Sequence, residues 1–297
     1  MIKSSCNGNY GFDPMCSYDF TGHVPEGVTL YLGNDQPDCA GDTNKKVRFY
    51  LETPNFLYTY NSAYDNEHFD LVYLICPYSC NYLNELYNTK KFKCGFYPNN
   101  DIRIENPKTI DVFYTGHYIH GLPPMVMSEQ AVIRKIGNQF HELKQYISPH
   151  NYDGFCKKME VISKVKIYLV HNLLISKRNF PNYYSNDLTR KHLPWDFHDG
   201  LVPQMKGRMF EGALMGCILL AYKDEHNIIE RFFTENEEFI YFENEDDLNS
   251  KIDHILANYD KYKHIGENAQ KRARENYLTK HLAGIMAKDL NELNSGE

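Results

Sequence analysis

Tryptophan is nearly absent from this chain, occurring once as Trp195, and no apolar run approaches 18 residues. The second absence excludes a membrane-spanning helix of ordinary length. Eight cysteines are scattered at 6, 16, 39, 76, 80, 94, 156 and 217, and none forms a C-x-x-C pair, so a structural zinc site is not expected and the metal ligand set is read as none. Met1–Ser17 lacks the pattern of a signal peptide, which with unpaired cysteines reads as a cytoplasmic, reduced protein. An excess of positive charge is missing too. The net charge of −7 argues against a generic nucleic-acid coat. No internal repeat is found.

What is present suits a globular protein of two domains: 297 residues, 42% hydrophobic and 24% charged, with 24 Tyr and 17 Phe. The charge is uneven. Residues 131–210 hold 13 Lys/Arg against 6 Asp/Glu, a net of +7, which leaves −14 for the remainder. A basic middle in an acidic protein suits an anionic ligand in a cleft, or is a solvated face.

Residues 1–27 read as a loop-like arm or a cap over a cleft. Strands follow at 28–32, 47–51, 71–75 and around 94–97, with a helix near 79–87, a rhythm that implies a parallel, Rossmann-like sheet. Residues 98–108 read as the interdomain linker. Ile110–Gly116 is an apolar strand ending in Gly, followed by His117 and His120, which are either plain loop residues or contacts to a bound phosphate or sugar. A long amphipathic helix is expected over 125–147. The strand of residues 161–170 ends at His171 and Asn172, beyond its carboxyl end, where ligands of open α/β sheets sit. The polar connection 175–206 is of a length that is usually functional or disordered, and its aromatic and charged content favours function. Trp195 or Phe197 there could stack on a base or sugar or simply tuck the loop down, and His198–Asp199 could act as an acid/base or orienting pair.

The organising stretch is Gly207-Arg208-Met209-Phe210-Glu211-Gly212-Ala213-Leu214-Met215-Gly216-Cys217, leading into Ile218–Tyr222. It reads as a short helix ended by a left-handed Gly216, then a strand buried on both faces. Arg208 and Glu211, three residues apart, share one side near the helix start. A cation there suits a diphosphate and a carboxylate suits ribose hydroxyls. The plainer reading is a surface salt bridge.

Arg208-Met-Phe-Glu211-Gly-Ala-Leu-Met-Gly216, then Asn236–Phe242, then Asp246-Asp247-Leu248 and on through Tyr259–Tyr262, Gly266, Arg272 and Tyr277, resembles the C-terminal domain of GT-B glycosyltransferases. The likeness is to the group related to spore-maturation glycosyltransferases, with its R-x-F-E-x-x-x-x-G signature, and it runs over about residues 109–280. It implies an α/β protein of GT-B architecture: two Rossmann-like domains facing across a cleft, the N-terminal one reduced. The division expected is 1–105 for the acceptor side, 106–280 for nucleotide-sugar binding, and 281–297 for a helix crossing back to the N-terminal domain. It implies a glycosyltransferase, hexosyl- or pentosyl-, using a nucleotide-sugar donor, UDP-linked, as substrate, with no separate cofactor. Gly116, His171, Asn172, Lys206, Arg208, Phe210, Glu211 and Gly212 are the expected donor-binding residues, and His198, Asp199 and His117 the expected catalytic ones.

No D-x-D pair follows a predicted strand, so Lys206, Arg208 and helix N-termini are expected to neutralise the leaving diphosphate in place of a metal. One departure matters. Many retaining relatives carry a second carboxylate eight residues before this Glu, where this chain has Pro203. The sugar contact then falls to Asp199 or to the Asp224–Asn227 loop, or the sugar differs. Retention is therefore only weakly implied. The acceptor is a glycan or a modified nucleobase, the latter making a DNA-modifying glycosyltransferase that acts on a hydroxylated base. A non-catalytic sugar-nucleotide or glycan-binding protein on the same fold is the reading from another class.

Overall fold

The computed structural model describes residues 1–4, 24–32, 39–50, 68–114, 152–170, 172–175 and 201–295. The first five strands are β1 (Ile2–Ser4), β2 (Val28–Leu32), β3 (Lys45–Phe49), β4 (Leu71–Leu74) and β5 (Phe92–Cys94). They form a parallel sheet in the order β1-β2-β3-β4-β5, with Leu30 opposite Val47 and Val47 opposite Leu71. Every residue of β2 and β4 is buried, as expected of strands covered on both faces. Helix α1 (Pro77–Leu86) covers one face, where Cys80 and Leu83 pack with Tyr31, Val72, Leu74 and Phe92. The arm expected over residues 1–27 begins differently: Ile2–Ser4 pair with Leu30–Leu32 as an edge strand.

The second sheet contains β6 (Ile110–Phe113), β7 (Val165–Val170), β10 (Ile218–Tyr222) and β11 (Ile240–Phe242), all parallel, in the order β11-β10-β7-β6. Between β7 and β10 lie β8 (Leu173–Ile175) and β9 (Leu201–Pro203), which pair with each other antiparallel. The long connection after β7 is thus tied at its base, which its polar sequence does not announce. Helix α2 (Tyr152–Ser163) precedes β7. It carries the chain two residues past Val161, the expected strand start, because Met159 and Ile162 bury on one side and Ser163 Oγ donates to the Glu160 carbonyl at 2.6 Å. The helix expected over residues 125–147 lies outside the described residues.

Helix α3 (Gly207–Leu214) runs into β10 through Gly216, whose φ of +68° is the left-handed turn read from the sequence. Its last carbonyls are paired: Gln270 Nε2 donates to Leu214 O at 2.9 Å and Lys108 Nζ to Met215 O at 2.8 Å. Helix α4 (Glu245–Ala257) begins with Asn244, whose side chain accepts from Asp247 N, and with three acids in its first turn. Helices α5 (Tyr259–Asn276) and α6 (Thr279–Ser295) complete the fold. α6 lies against the first sheet: Ala283, Met286 and Leu290 face Val28, Leu30 and Val47, and Tyr73 Oη donates to Asp289 at 2.6 Å. One hydrophobic cluster runs from Leu30 and Val47 through Phe96 and Tyr97 to Phe210 and Leu214, so the sheets share a core.

Candidate functional site

Helix α3 starts beside the carboxyl end of β7. The Gln204 N–H donates to the Asn172 carbonyl at 2.8 Å, and the side chains of Gln204 and Lys206 are hydrogen-bonded to each other. Lys206 is the N-cap, makes no side-chain cap, and the first turn contains no acid. The positive end of the helix dipole is therefore reinforced by Lys206 and Arg208 rather than neutralised. Gly207 lies under the ring of Tyr97: a Cβ there would be 2.7–2.9 Å from three ring atoms, so the backbone must come this close. Tyr97 belongs to the segment that joins the two sheets, which puts the start of α3 at the join.

Arg208 and Glu211 do not form the surface salt bridge that their spacing allows. Glu211 is only 4% exposed, and its Oε1 accepts from Lys158 Nζ at 2.6 Å. Lys158 is on α2 and is half-buried. The guanidinium of Arg208 lies over the ring of the buried Tyr114, 4.8 Å from its centroid. Burial works to lower the Arg208 pKa, but Tyr114, Tyr168 and Glu211 outweigh it and hold the group above its usual value. It stays a cation.

Phe210 and Gly212, expected among the donor contacts, have packing tasks. Phe210 is 1% exposed and meets Phe96, Phe232, Phe233 and Tyr277, with ring centroids 5.1–6.2 Å apart. A Cβ on Gly212 would come within 2.4 Å of Tyr168 and 2.8 Å of Leu219, so this glycine lets α3 lie on the sheet. Asn172 is fully buried, and neither Oδ1 nor Nδ2 has a hydrogen-bond partner. Gly116, His117, His171, His198 and Asp199 lie outside the described residues, as do His120, Trp195 and Phe197.

Of the two substitutes for the missing carboxylate at Pro203, Asp224 is occupied locally. It is 2% exposed and accepts from the backbone N–H groups of His226 (3.0 Å) and Ile228 (3.3 Å). Burial raises its pKa, against those hydrogen bonds. Sequence reasoning missed Lys158 and the start of α1. Cys76, the N-cap of α1, has its Sγ 3.7 Å from the Pro203 carbonyl, and Tyr78 meets His226 across the join with ring centroids 4.7 Å apart. Neither contact has a local signature, because each joins residues more than a hundred positions apart. Among the described residues no cluster of three or more His, Cys, Asp or Glu could hold a metal ion, and no helix is long and apolar enough to cross a membrane.

Two parallel α/β sheets sharing a core, with a cationic helix start at their join, define a protein of the GT-B class. The chain belongs to the glycosyl transferase-like family, whose model matches residues 133–287. No curated protein sequence matches it. Among solved structures it is similar to HepE of Anabaena in complex with UDP and glucose, at a TM-score of 0.55 and 11% identity over 89% of this chain and 78% of that one. It is also similar to sucrose-phosphate synthase of Thermosynechococcus elongatus (TM-score 0.54, 11% identity, 91% and 74% covered). A third is the pneumococcal O-GlcNAc transferase GtfA in complex with UDP and GlcNAc (0.51, 10%, 91% and 57%). At such identities the likeness concerns the fold.

Proposed function

We propose that this chain transfers a sugar from a UDP-linked donor to an acceptor hydroxyl, with side-chain cations and a helix N-terminus in place of a metal neutralising the leaving diphosphate. The observation that carries the reading is the start of α3: Lys206 and Arg208, with no side-chain cap and no acid in the first turn, at the join between the two sheets. Residues 106–280 would bind the donor and residues 1–105 the acceptor, with 281–297 crossing back. UDP is favoured because HepE and GtfA were each solved with it.

In this reading Lys206 and Arg208 grip the diphosphate and Asn172 offers its unpaired amide to the same group. Lys158 takes Oε1 of Glu211, and Oε2 accepts the ribose hydroxyls. Lys158 has a positioning task, fixing the carboxylate before the nucleotide arrives. Gly116, His171, His117, His198 and Asp199 keep their proposed places at the strand ends and in the loop, His198–Asp199 as the acid/base pair.

Calorimetric titration with UDP tests this. Arg208→Ala and Glu211→Gln are each expected to weaken binding by about 1–3 kcal/mol, the worth of a charged hydrogen bond. Affinities equal to wild type would reject the assignment. Release of free sugar from UDP-glucose without an added acceptor separates a transferase from a binding protein on the same fold.

A further inference from the structure

Helix α1 packs against β5, the edge strand of the first sheet. Asn84 fixes how they meet: its Nδ2 donates to the Phe92 carbonyl at 2.7 Å, and the Phe92 N–H donates to its Oδ1 at 3.1 Å. Cys80 is one turn before Asn84 on α1, and Cys94 is two residues after Phe92 on β5, so each shares a face with its neighbour. The faces that bring Asn84 to Phe92 therefore bring Cys80 to Cys94. Both pack with Val72, Leu74, Leu83 and Phe92, and their side chains are hydrogen-bonded to each other. They also meet at one rung of the sheet. Leu74 is opposite Cys94, and its carbonyl takes the Gly95 N–H at 2.8 Å and is 4.0 Å from Cys80 Sγ.

The two thiols are unlike. Cys80 is buried, and burial, followed by the bond to Cys94, pushes its pKa well up. Cys94 is half-buried; its bond to Cys80 and the nearby Arg231 cation hold its pKa below the usual value, against burial. Arg231 belongs to the second half of the chain, in the short turn Ile228–Arg231. Cys94 is therefore the more nucleophilic sulfur, and Cys80, held in contact with it, is placed to resolve an oxidised Cys94. Both are reduced thiols in this structure, and the donor-site reading uses neither.

We propose that Cys80 and Cys94 form a reversible disulfide switch, closed by hydrogen peroxide and opened by a dithiol, which bonds α1 to β5 beside Arg231 of the second half. Cys94 Sγ, as thiolate, attacks one peroxide oxygen. The O–O bond breaks, hydroxide leaves and takes up the proton Cys94 gave, and Cys94 becomes a sulfenic acid. Cys80 Sγ then attacks Cys94 Sγ; the S–O bond breaks, and the hydroxyl departs as water with the Cys80 proton. Two thiols lose two electrons and two protons, and peroxide is reduced to two waters. A dithiol returns both and is itself oxidised to a disulfide. The closed bond fastens the helix that holds Tyr78 against His226, and it removes the sulfur charge that faces Arg231, so the state of this pair is felt at the join.

The test is peptide mapping of the whole chain after hydrogen peroxide, without and with later dithiothreitol, on wild type, Cys76→Ser, Cys80→Ser and Cys94→Ser, with Tm measured for each. Trypsin cuts at Lys90, Lys91 and Lys93, so Cys80 and Cys94 leave in different peptides unless they are bonded. In wild type the two peptides are expected joined after peroxide and separate after dithiothreitol, and Cys76→Ser should behave alike. Cys80→Ser should lose the joined peptide and leave Cys94 as a sulfenic acid that dimedone labels, whereas Cys94→Ser should leave Cys80 unlabelled. Wild type that yields no joined peptide would overturn the switch, and this holds even where a variant melts lower. A joined peptide that persists in Cys80→Ser and is lost in Cys76→Ser would overturn it too, since the partner of Cys94 would then be Cys76.

Discussion

Lys158→Met is the perturbation that most directly examines the buried ion pair. The Lys158 and Glu211 side chains are 12% and 5% exposed and 2.6 Å apart, so solvent screens them little. Removing Lys158 leaves the buried Glu211 carboxylate without its hydrogen-bonded partner, though with the Arg208 cation near it, and costs up to about 3–5 kcal/mol. For a protein of this size a change of 1 kcal/mol moves Tm by about 2–4 °C, so the expected loss is up to roughly 6–20 °C. The double variant Lys158→Met/Glu211→Met replaces the pair by apolar groups of similar length and is expected to recover most of that loss. UDP affinity separates the two tasks of Glu211: the double variant regains Tm but not UDP binding. Scanning calorimetry reads the first arm and titration the second. A single variant melting within 2 °C of wild type, on the scale of about 2–4 °C per kcal/mol, would refute the argument that this pair is buried and coupled.

Other expectations are narrower. Gly212→Ala forces a Cβ into the Tyr168 ring and is expected to cost about 1–3 kcal/mol, read by urea unfolding. Asn244→Ala removes the cap of α4 and should cost about 1 kcal/mol without changing UDP affinity. His281 Nδ1 accepts the Leu278 N–H at 3.2 Å, and burial, with nearby Lys280, lowers its pKa below the usual 6.5. Below pH 6.5 the unfolded chain therefore binds the proton more readily than the folded one, so stability falls as pH drops through that window. His281→Gln should remove this pH dependence in melts between pH 5 and 8, a range spanning the ordinary histidine pKa of about 6.5.

Much of the architecture was legible because it is locally encoded. β4 and β10 are apolar runs without polar alternation, α4 opens with acids, and Gly216 marks the end of α3. What was not legible depends on distant partners. The edge strand Ile2–Ser4 exists because β2 offers it a free edge, and β8 and β9 find each other across a polar stretch. Glu211 shows the same limit at the candidate site. Its spacing from Arg208 is visible in the motif, but Lys158, 53 residues away, is its partner. Phe210 and Gly212 carry the motif as much as Glu211 does, yet their surroundings give one an aromatic cluster and the other a close backbone approach. A motif identifies positions; packing decides what each of them does.

The placement of α6 bears on how such a chain is made. Val28, Leu30 and Val47 lie beneath Ala283, Met286 and Leu290, which the ribosome adds more than two hundred residues later. During synthesis the N-terminal sheet stays uncovered on that face, and contacts of such long sequence separation slow its completion. A nascent chain arrested before residue 279 is expected to be cut by protease within residues 24–49, and one released after residue 295 to resist. Equal resistance in both would show that the early strands find shelter without their late partner.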